Sequence, residues 1–202
     1  MSDTEDIRIP LPPTPVLETA RLILRPKRLD DAPVVQKLFP HWEVVRYLAA
    51  KAPWPYPDDG AEQHIGECLD NMARGLKFHW AITLKAEGDA PIGGIDLWPD
   101  SGDHEQRGFW LAADYHGRGL MTEAAERVTE YAFLELGWPQ LYLSNAVENK
   151  ASHRVKEKQG AKVIGYAPIN IVQGPTQRVV WLLTREDWLA HRQAAAHAGA
   201  KS

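Results

Sequence analysis

Apolar positions along the chain change period several times, and each change marks an element. Arg21–Arg25 (RLILR) reads as a short strand. Asp30 can cap a helix through Val34, Val35 and Leu38, which Pro40 ends. A second short helix falls over Glu43–Leu48. The stretch Ala52-Pro53-Trp54-Pro55-Tyr56-Pro57 excludes helix, because each proline drives the residue before it toward extended backbone. Asp58 and Asp59 then open a helix whose apolar face holds Ala61, Ile65, Cys68, Leu69 and Met72, with Gly75 placed to end it.

From there the period drops to two. Phe78, Trp80, Ile82 and Leu84 alternate with His79, Ala81 and Thr83, as a strand requires. Ile92–Trp98 and Arg107–Ala113 follow as strands across two short turns, an antiparallel meander. Beyond Gly117-Arg118-Gly119 the helical period returns, with Met121, Ala125, Val128, Ala132 and Leu136 on one stripe and Gly137 at the end. Leu141–Val147 is a strand, Ala151–Gln159 a helix stopped by Gly160, and Lys162–Tyr166 and Arg178–Leu183 are the last two strands. Thr184 with Asp187 resembles a capping box for a terminal helix. This order defines an α+β (α/β layered) fold, a mixed, mostly antiparallel sheet of about seven strands with helices on both faces. Residues 1–16, rich in proline and acids, read as a loose arm, and 17–202 as one domain.

Composition narrows the function. A net charge of -4 argues against a protein whose main work is gripping nucleic acid. One cysteine, Cys68, excludes an internal disulfide framework. No apolar run approaches the roughly 20 residues that span a bilayer, and the polar start Met1–Ile7 has no signal-peptide character, so a cytoplasmic location without membrane contact is expected. The histidines show no metal-ligand spacing, and no Gly-x-Ser-x-Gly elbow occurs; neither a metal nor a serine hydrolase is expected.

The chemistry concentrates where the third meander strand runs through Tyr115-His116-Gly117-Arg118-Gly119-Leu120-Met121-Thr122 into a helix. The first helical amides lack intrahelical partners and carry the positive end of the helix dipole. Glycines let the backbone close around a ligand, so the turn suits phosphate oxygens. Taken alone it is an ordinary tight turn as often as a ligand loop. A Rossmann fingerprint needs a third glycine where Thr122 stands, and the Walker Gly-Lys-Ser/Thr never occurs.

Tyr115–Ala125 (YHGRGLMTEAA) resembles the acetyl-CoA signature of the GNAT superfamily, in the branch related to ribosomal-protein N-terminal acetyltransferases. Three further stretches resemble that branch in the same order: Glu18–Pro26 (ETARLILRP), Gly108–Leu111, and Asn149, Ser152, Lys158 and Gly160 in their Asn-x-x-Ser and Lys-x-Gly settings. The resemblance spans Leu17 to Trp188. His116 stands in place of the usual Gln or Arg, Met121 in place of a small residue, and Gln106 in place of a frequent glutamate.

The resemblance implies acetyl-CoA as co-substrate and an amine as acceptor, in a monomer or homodimer. It implies a pyrophosphate on His116, Gly117, Arg118, Gly119, Leu120, Met121 and Thr122. The pantetheine arm then runs along the strand that contains Leu111 and Ala113, where that strand splays from the next, with the Leu111 amide toward the thioester oxygen. Asn149 is implied near the sulfur and Ser152 as proton donor to it, with Tyr142 as the other possible donor. Candidate bases are Asp96, Glu105 and the neighbouring His104. Trp42, Trp54 and Tyr56 are candidate walls for the acceptor. An α-amine near pKa 8 loses about 1.4 kcal/mol to be neutral at pH 7, a lysine near 10.4 about 4.6. An acceptor of low pKa therefore needs little base catalysis. A non-catalytic acyl-CoA sensor, or a nucleotide-binding enzyme using the same loop, are the alternatives.

Overall fold

The computed structural model describes residues 10–100 and 102–199. Five strands form one antiparallel ladder in chain order: β1 (Leu17–Glu18), β2 (Leu22–Pro26), β3 (Phe78–Leu84), β4 (Pro91–Leu97) and β5 (Arg107–Leu111). A second antiparallel ladder holds β6 (Gln140–Ala146), β7 (Lys162–Ile171) and β8 (Gly174–Thr184), in the order β6-β8-β7. Among the described residues the sheet thus has eight strands against the seven expected, with the two-residue β1 the addition, and it is split in two. β5 and β6 start side by side, where the Gln106 amide donates to the Tyr142 carbonyl at 2.9 Å, and then share no ladder.

Six α-helices complete the described chain: α1 (Ala32–Leu38), α2 (Trp42–Val45), α3 (Gly60–Ala73), α4 (Leu120–Glu130), α5 (Lys150–Glu157) and α6 (Arg185–Gly199). β3 is buried along its whole length because helices cover both of its faces. Phe78, Trp80, Ile82 and Leu84 join the main core with Leu120, Ala124, Ala125 and Val128 of α4. Phe78 stacks on Trp80 at 5.4 Å, and Tyr131 meets both edge-on. Each such side chain contributes about 1.5–3 kcal/mol through burial. The alternate positions of β3 face a smaller core between α1 and α3, built on Val35, Ala61 and Ile65.

Several boundaries differ from the sequence reading. A 3-10 turn, Leu29–Asp31, precedes α1, and Asp31 rather than Asp30 adjoins it. Its carboxylate is buried against Arg25 at 2.6 Å and accepts the Arg28 amide at 3.0 Å. The third meander strand ends at Leu111, and Ala113–Tyr115 forms a 3-10 turn. The last two strands are a long hairpin, because edge positions of β7 need no apolar alternation. Thr184 Oγ1 accepts the Asp187 amide at 3.0 Å, the cap expected for α6. Of the proposed arm, residues 1–9 lie outside the described ones. Next to them, the Leu11 amide donates to the Gly75 carbonyl, and Trp80 Nε1 donates to the Pro15 carbonyl at 2.7 Å.

Candidate active site

The glycine turn is shaped by two left-handed residues, Gly117 (φ +74°) and Gly119 (φ +76°), a region that costs other L-residues roughly 1–2 kcal/mol. Gly119 caps α4, so the amides of Leu120, Met121 and Thr122 open the helix without intrahelical acceptors. A Cβ at Gly117 would meet no atom within 4 Å, so the turn is open rather than packed. Its shape is held from far away in sequence. Glu123 accepts from Arg21 Nε at 2.7 Å, from the Arg21 amide at 2.8 Å and from Thr19 Oγ1 at 2.6 Å. Arg21 Nη1 also donates to the Arg118 carbonyl at 3.0 Å. These bonds explain why Glu18–Pro26 accompanies the glycine turn. Partial burial disfavours ionisation of Glu123, but the donors from Thr19 and Arg21 outweigh it and hold the carboxyl below its usual range.

Leu111 ends β5 at the open edge. Ala112 donates its amide to Ile92 at 2.9 Å. Amides alternate direction along a strand, so the Leu111 N–H points away from β4 toward the gap. The Leu111 carbonyl lies 2.8 Å from His116 Nε2, which donates to it in the matching tautomer.

Across the gap, Asn149 caps α5, its Oδ1 accepting the Ser152 amide at 3.1 Å. Ser152 is buried, and its Oγ is 2.8 Å from Lys156 Nζ. A cleft of about 430 Å³ joins these parts. Its walls include Leu111, His116, Gly117 and Gly119–Thr122 on one side, Asn149, Ser152 and Val155 on the other, and α2 at the mouth.

Nine of the expected positions therefore share one cleft: Leu111, His116, Gly117, Gly119, Leu120, Met121, Thr122, Asn149 and Ser152. Ala113 and Arg118 do not line it. Ala113 has turned into the 3-10 segment, and the Arg118 guanidinium lies over the Tyr115 ring at 5.3 Å. Asp96 is elsewhere too. Its Oδ1 lies 2.9 Å from Lys27 Nζ and 2.9 Å from His79 Nδ1, the latter without hydrogen-bond alignment. Burial opposes its ionisation, yet Lys27 and His79 hold the carboxyl well below the usual range, which makes it a poor proton acceptor. Glu105 accepts from Ser144 Oγ at 2.9 Å and is also absent from the cleft wall. The His104 ring lies tilted against the Tyr142 ring, with centroids 4.3 Å apart.

The acceptor walls differ most. Trp42 and Trp54 touch at 5.9 Å and are 40% and 44% exposed, outside the cleft lining. Tyr56 packs on Phe39 at 5.0 Å, part of the smaller core. Instead α2 and the residues after it present Glu43, Arg46 and Tyr47, and β5 presents Phe109 and Trp110. The short helix over 43–48 was legible, but which of its faces meets the gap depends on where β5 and β6 part. Arg154 on α5 and Lys158 just beyond it also line the cleft, although neither was expected as a ligand contact; with Ala151 and Val155 they repeat at three- and four-residue spacing, which was the available signal.

Residues 21–162 match the family model described as "Acetyltransferase (GNAT) domain". The chain belongs to the GNAT acetyltransferase family. It is 30% identical over 119 residues to the "Probable N-acetyltransferase YjcK" of Bacillus subtilis (strain 168), a match covering 57% of this chain and 65% of that relative. It is 28% identical over 191 residues to the "FsC-acetyl coenzyme A-N(2)-transacetylase" of Aspergillus fumigatus, covering 87% of this chain and 78% of that one. The fold is similar to that of Mycobacterium smegmatis RimJ, solved in complex with CoA-disulfide, with a TM-score of 0.76 at 15% identity over 91% of this chain and 95% of that one. Among the described residues no helix is long and apolar enough to cross a membrane.

Proposed function

We propose that the chain moves an acetyl group from acetyl-CoA directly to a primary amine, either a protein N-terminal α-amine or a small-molecule amine. The observation that carries this reading is the single cleft in which the glycine turn faces Asn149 and Ser152 across the gap between β5 and β6. Its volume suits a cofactor-sized ligand. The free amides at Leu120–Thr122 and the open space at Gly117 fit a pyrophosphate. The name of the Aspergillus relative, an acetyl coenzyme A transacetylase, supports the same donor.

When bound, acetyl-CoA supplies the acetyl group as an activated thioester. The Leu111 amide, turned to the gap, is assigned to stabilise the oxygen of the reacting carbonyl. Asn149 fixes the first turn of α5, and Ser152 offers its hydroxyl to the leaving sulfur. Direct transfer is supported by the state of the one cysteine. Cys68 is buried on α3, and burial pushes its thiol up to about 11 although Lys27 opposes this. Such a thiol is a weak nucleophile. The acceptor is assigned to the mouth along Glu43, Arg46 and Tyr47, with the exposed pair Trp42 and Trp54 as an outer contact. Neither Asp96 nor Glu105 is assigned a proton-transfer role, since neither lines the cleft and an amine of low pKa needs little base catalysis.

The test is thiol release and product mass with acetyl-CoA and a panel of amines. The panel contains peptides with free α-amines, N-terminally blocked peptides that contain lysine, and small-molecule amines. Turnover is expected on the first or third group, with the blocked peptides inert. Robust acetylation of a blocked peptide overturns the acceptor assignment, and binding without turnover on any amine would mark a sensor.

A further inference from the structure

Lys156 lies in the last turn of α5 with 2% of its surface exposed. Among the described residues both hydrogen bonds of its ammonium go to Ser152: Nζ is 2.8 Å from Oγ and 3.5 Å from the carbonyl oxygen. The ammonium also lies over the Phe109 ring at 5.4 Å, and Phe109 and Ser152 both line the cleft. A buried lysine ordinarily has a carboxylate. None of the ion pairs formed among the described residues includes Lys156.

The charges around it accentuate this. Arg107 on β5 is itself buried, 3% exposed, and donates to Thr129 Oγ1 at 2.7 Å and Gln159 Oε1 at 2.8 Å. Glu126 on α4 is engaged by Gln159, Trp188 and Arg192. Glu105 acts on Lys156 only at a distance, its carboxylate accepting from Ser144 of β6. Burial first, and then the like charge of Arg107, push the Lys156 pKa well below the usual lysine value, with Glu105 opposing.

We propose that Lys156 positions the Ser152 hydroxyl toward the cleft and restores its proton after each acyl transfer. This deepens the acyl-transfer reading above and rests on it. As the carbon–nitrogen bond forms and the carbon–sulfur bond breaks, Ser152 Oγ gives its proton to the departing sulfur. Lys156 Nζ, as an ammonium, returns a proton to Oγ. The acceptor nitrogen sheds one proton to water, and neutral Lys156 takes one from water, so the count closes. The ammonium form is the working one. Activity assigned to it is present below the folded pKa of Lys156 and lost as pH rises through that value, which lies below that of an ordinary lysine.

The test compares wild type, Lys156→Met and Ser152→Ala on an amine that the wild type acetylates. Thermal melts and acetyl-CoA calorimetry verify folding and donor binding. Lys156→Met is expected to lower kcat by about tenfold to a hundredfold, within or below the range of general acid catalysis. It should keep KM for acetyl-CoA and lose the high-pH descending limb of kcat, as should Ser152→Ala. In parallel, the lysine Cε resonance that disappears in Lys156→Met should titrate below the other lysines in wild type. Unaltered kcat and an unaltered limb in Lys156→Met, or an ordinary lysine titration of that resonance, overturns the inference alone. A folded wild type that binds acetyl-CoA and transfers nothing removes the acyl-transfer reading, and this inference with it.

Discussion

Lys27 and Lys156 are both buried, 7% and 2% exposed, yet the protein treats them in opposite ways. Lys27 at the start of the α1–α3 side has a carboxylate, Asp96 on β4, at 2.9 Å, and Cys68 Sγ at 3.7 Å. Burial disfavours its charge, but Asp96 outweighs this and raises its pKa. Lys156 on α5 has a hydroxyl instead and a second buried cation nearby, and its pKa falls. A paired buried charge is a structural element, because removing either partner strands the other. An unpaired buried cation contributes nothing comparable to stability, and it stands at the wall of the cleft. Burial of a charge and its function are therefore separable here by asking what neutralises it.

The largest effect expected from breaking this contrast is on the paired side. Asp96→Asn leaves Lys27 unpaired in the interior and should destabilise the chain by about 3–5 kcal/mol in denaturant unfolding. Lys27→Met with Asp96→Leu should recover most of that loss. The pair also gives a pH signature. Because the Asp96 carboxyl is depressed in the folded chain, its contribution is complete above the ordinary aspartate range and fades as pH falls through the folded value. A stability profile flat through that acid range would contradict the pairing.

Next in size is the glycine turn, which carries no buried charge at all. Gly119→Val forces a β-branched residue to φ +76° and disturbs the amides at the start of α4. Acetyl-CoA affinity by calorimetry should fall at least about tenfold, or about 1.4 kcal/mol. Unchanged affinity in a folded variant would take the pyrophosphate away from this turn.

The smallest shifts sharpen the comparison. Lys156→Met should leave global stability within about 1 kcal/mol of wild type, or raise it, since an unpaired cation is exchanged for an apolar chain of similar length. A loss of several kcal/mol would make Lys156 a structural residue like Lys27. Cys68→Ala should keep most of the activity, and the wild type mixed with acetyl-CoA alone should show no acetyl adduct that turns over by intact mass. Accumulation of such an adduct would return Cys68 to the chemistry.

What was legible in the sequence and what was not follows from how local each feature is. Gly117, Gly119 and the amphipathic run from Met121 announce a turn and a helix through local conformation, and the structure has both. Asn149 and Ser152 were placed by a motif, and they share the cleft. Lys156 and Arg107 carried no such mark. A lysine in a short helix and an arginine at a strand start carry no local sign of burial, which comes only from the packing of β5, α4 and α5. Asp96 was misjudged for the same reason. The alternation along β4 gives its face, but only the packing of α3 over that face reveals that it is shared with Lys27, His79 and Cys68. Trp42 and Trp54 failed as cleft walls because aromatic content says nothing about direction, whereas Glu43, Arg46 and Tyr47 of the same segment do face the gap.

The contact between the Thr19–Arg21 turn and Glu123 joins residues 102 to 104 positions apart. Closing so long a span costs more chain entropy than closing the local turns and helices, so the contact is expected to form after them. The meander β3–β5 and helix α4 can assemble first while the glycine turn still lacks its support. A Glu123→Gln variant, which weakens that support while leaving Leu17 and the Trp80–Pro15 contact in place, would then retain the hydrophobic core yet hold its donor loosely. In such a variant the damage would surface as weak ligand affinity, with the melting temperature giving little warning of it.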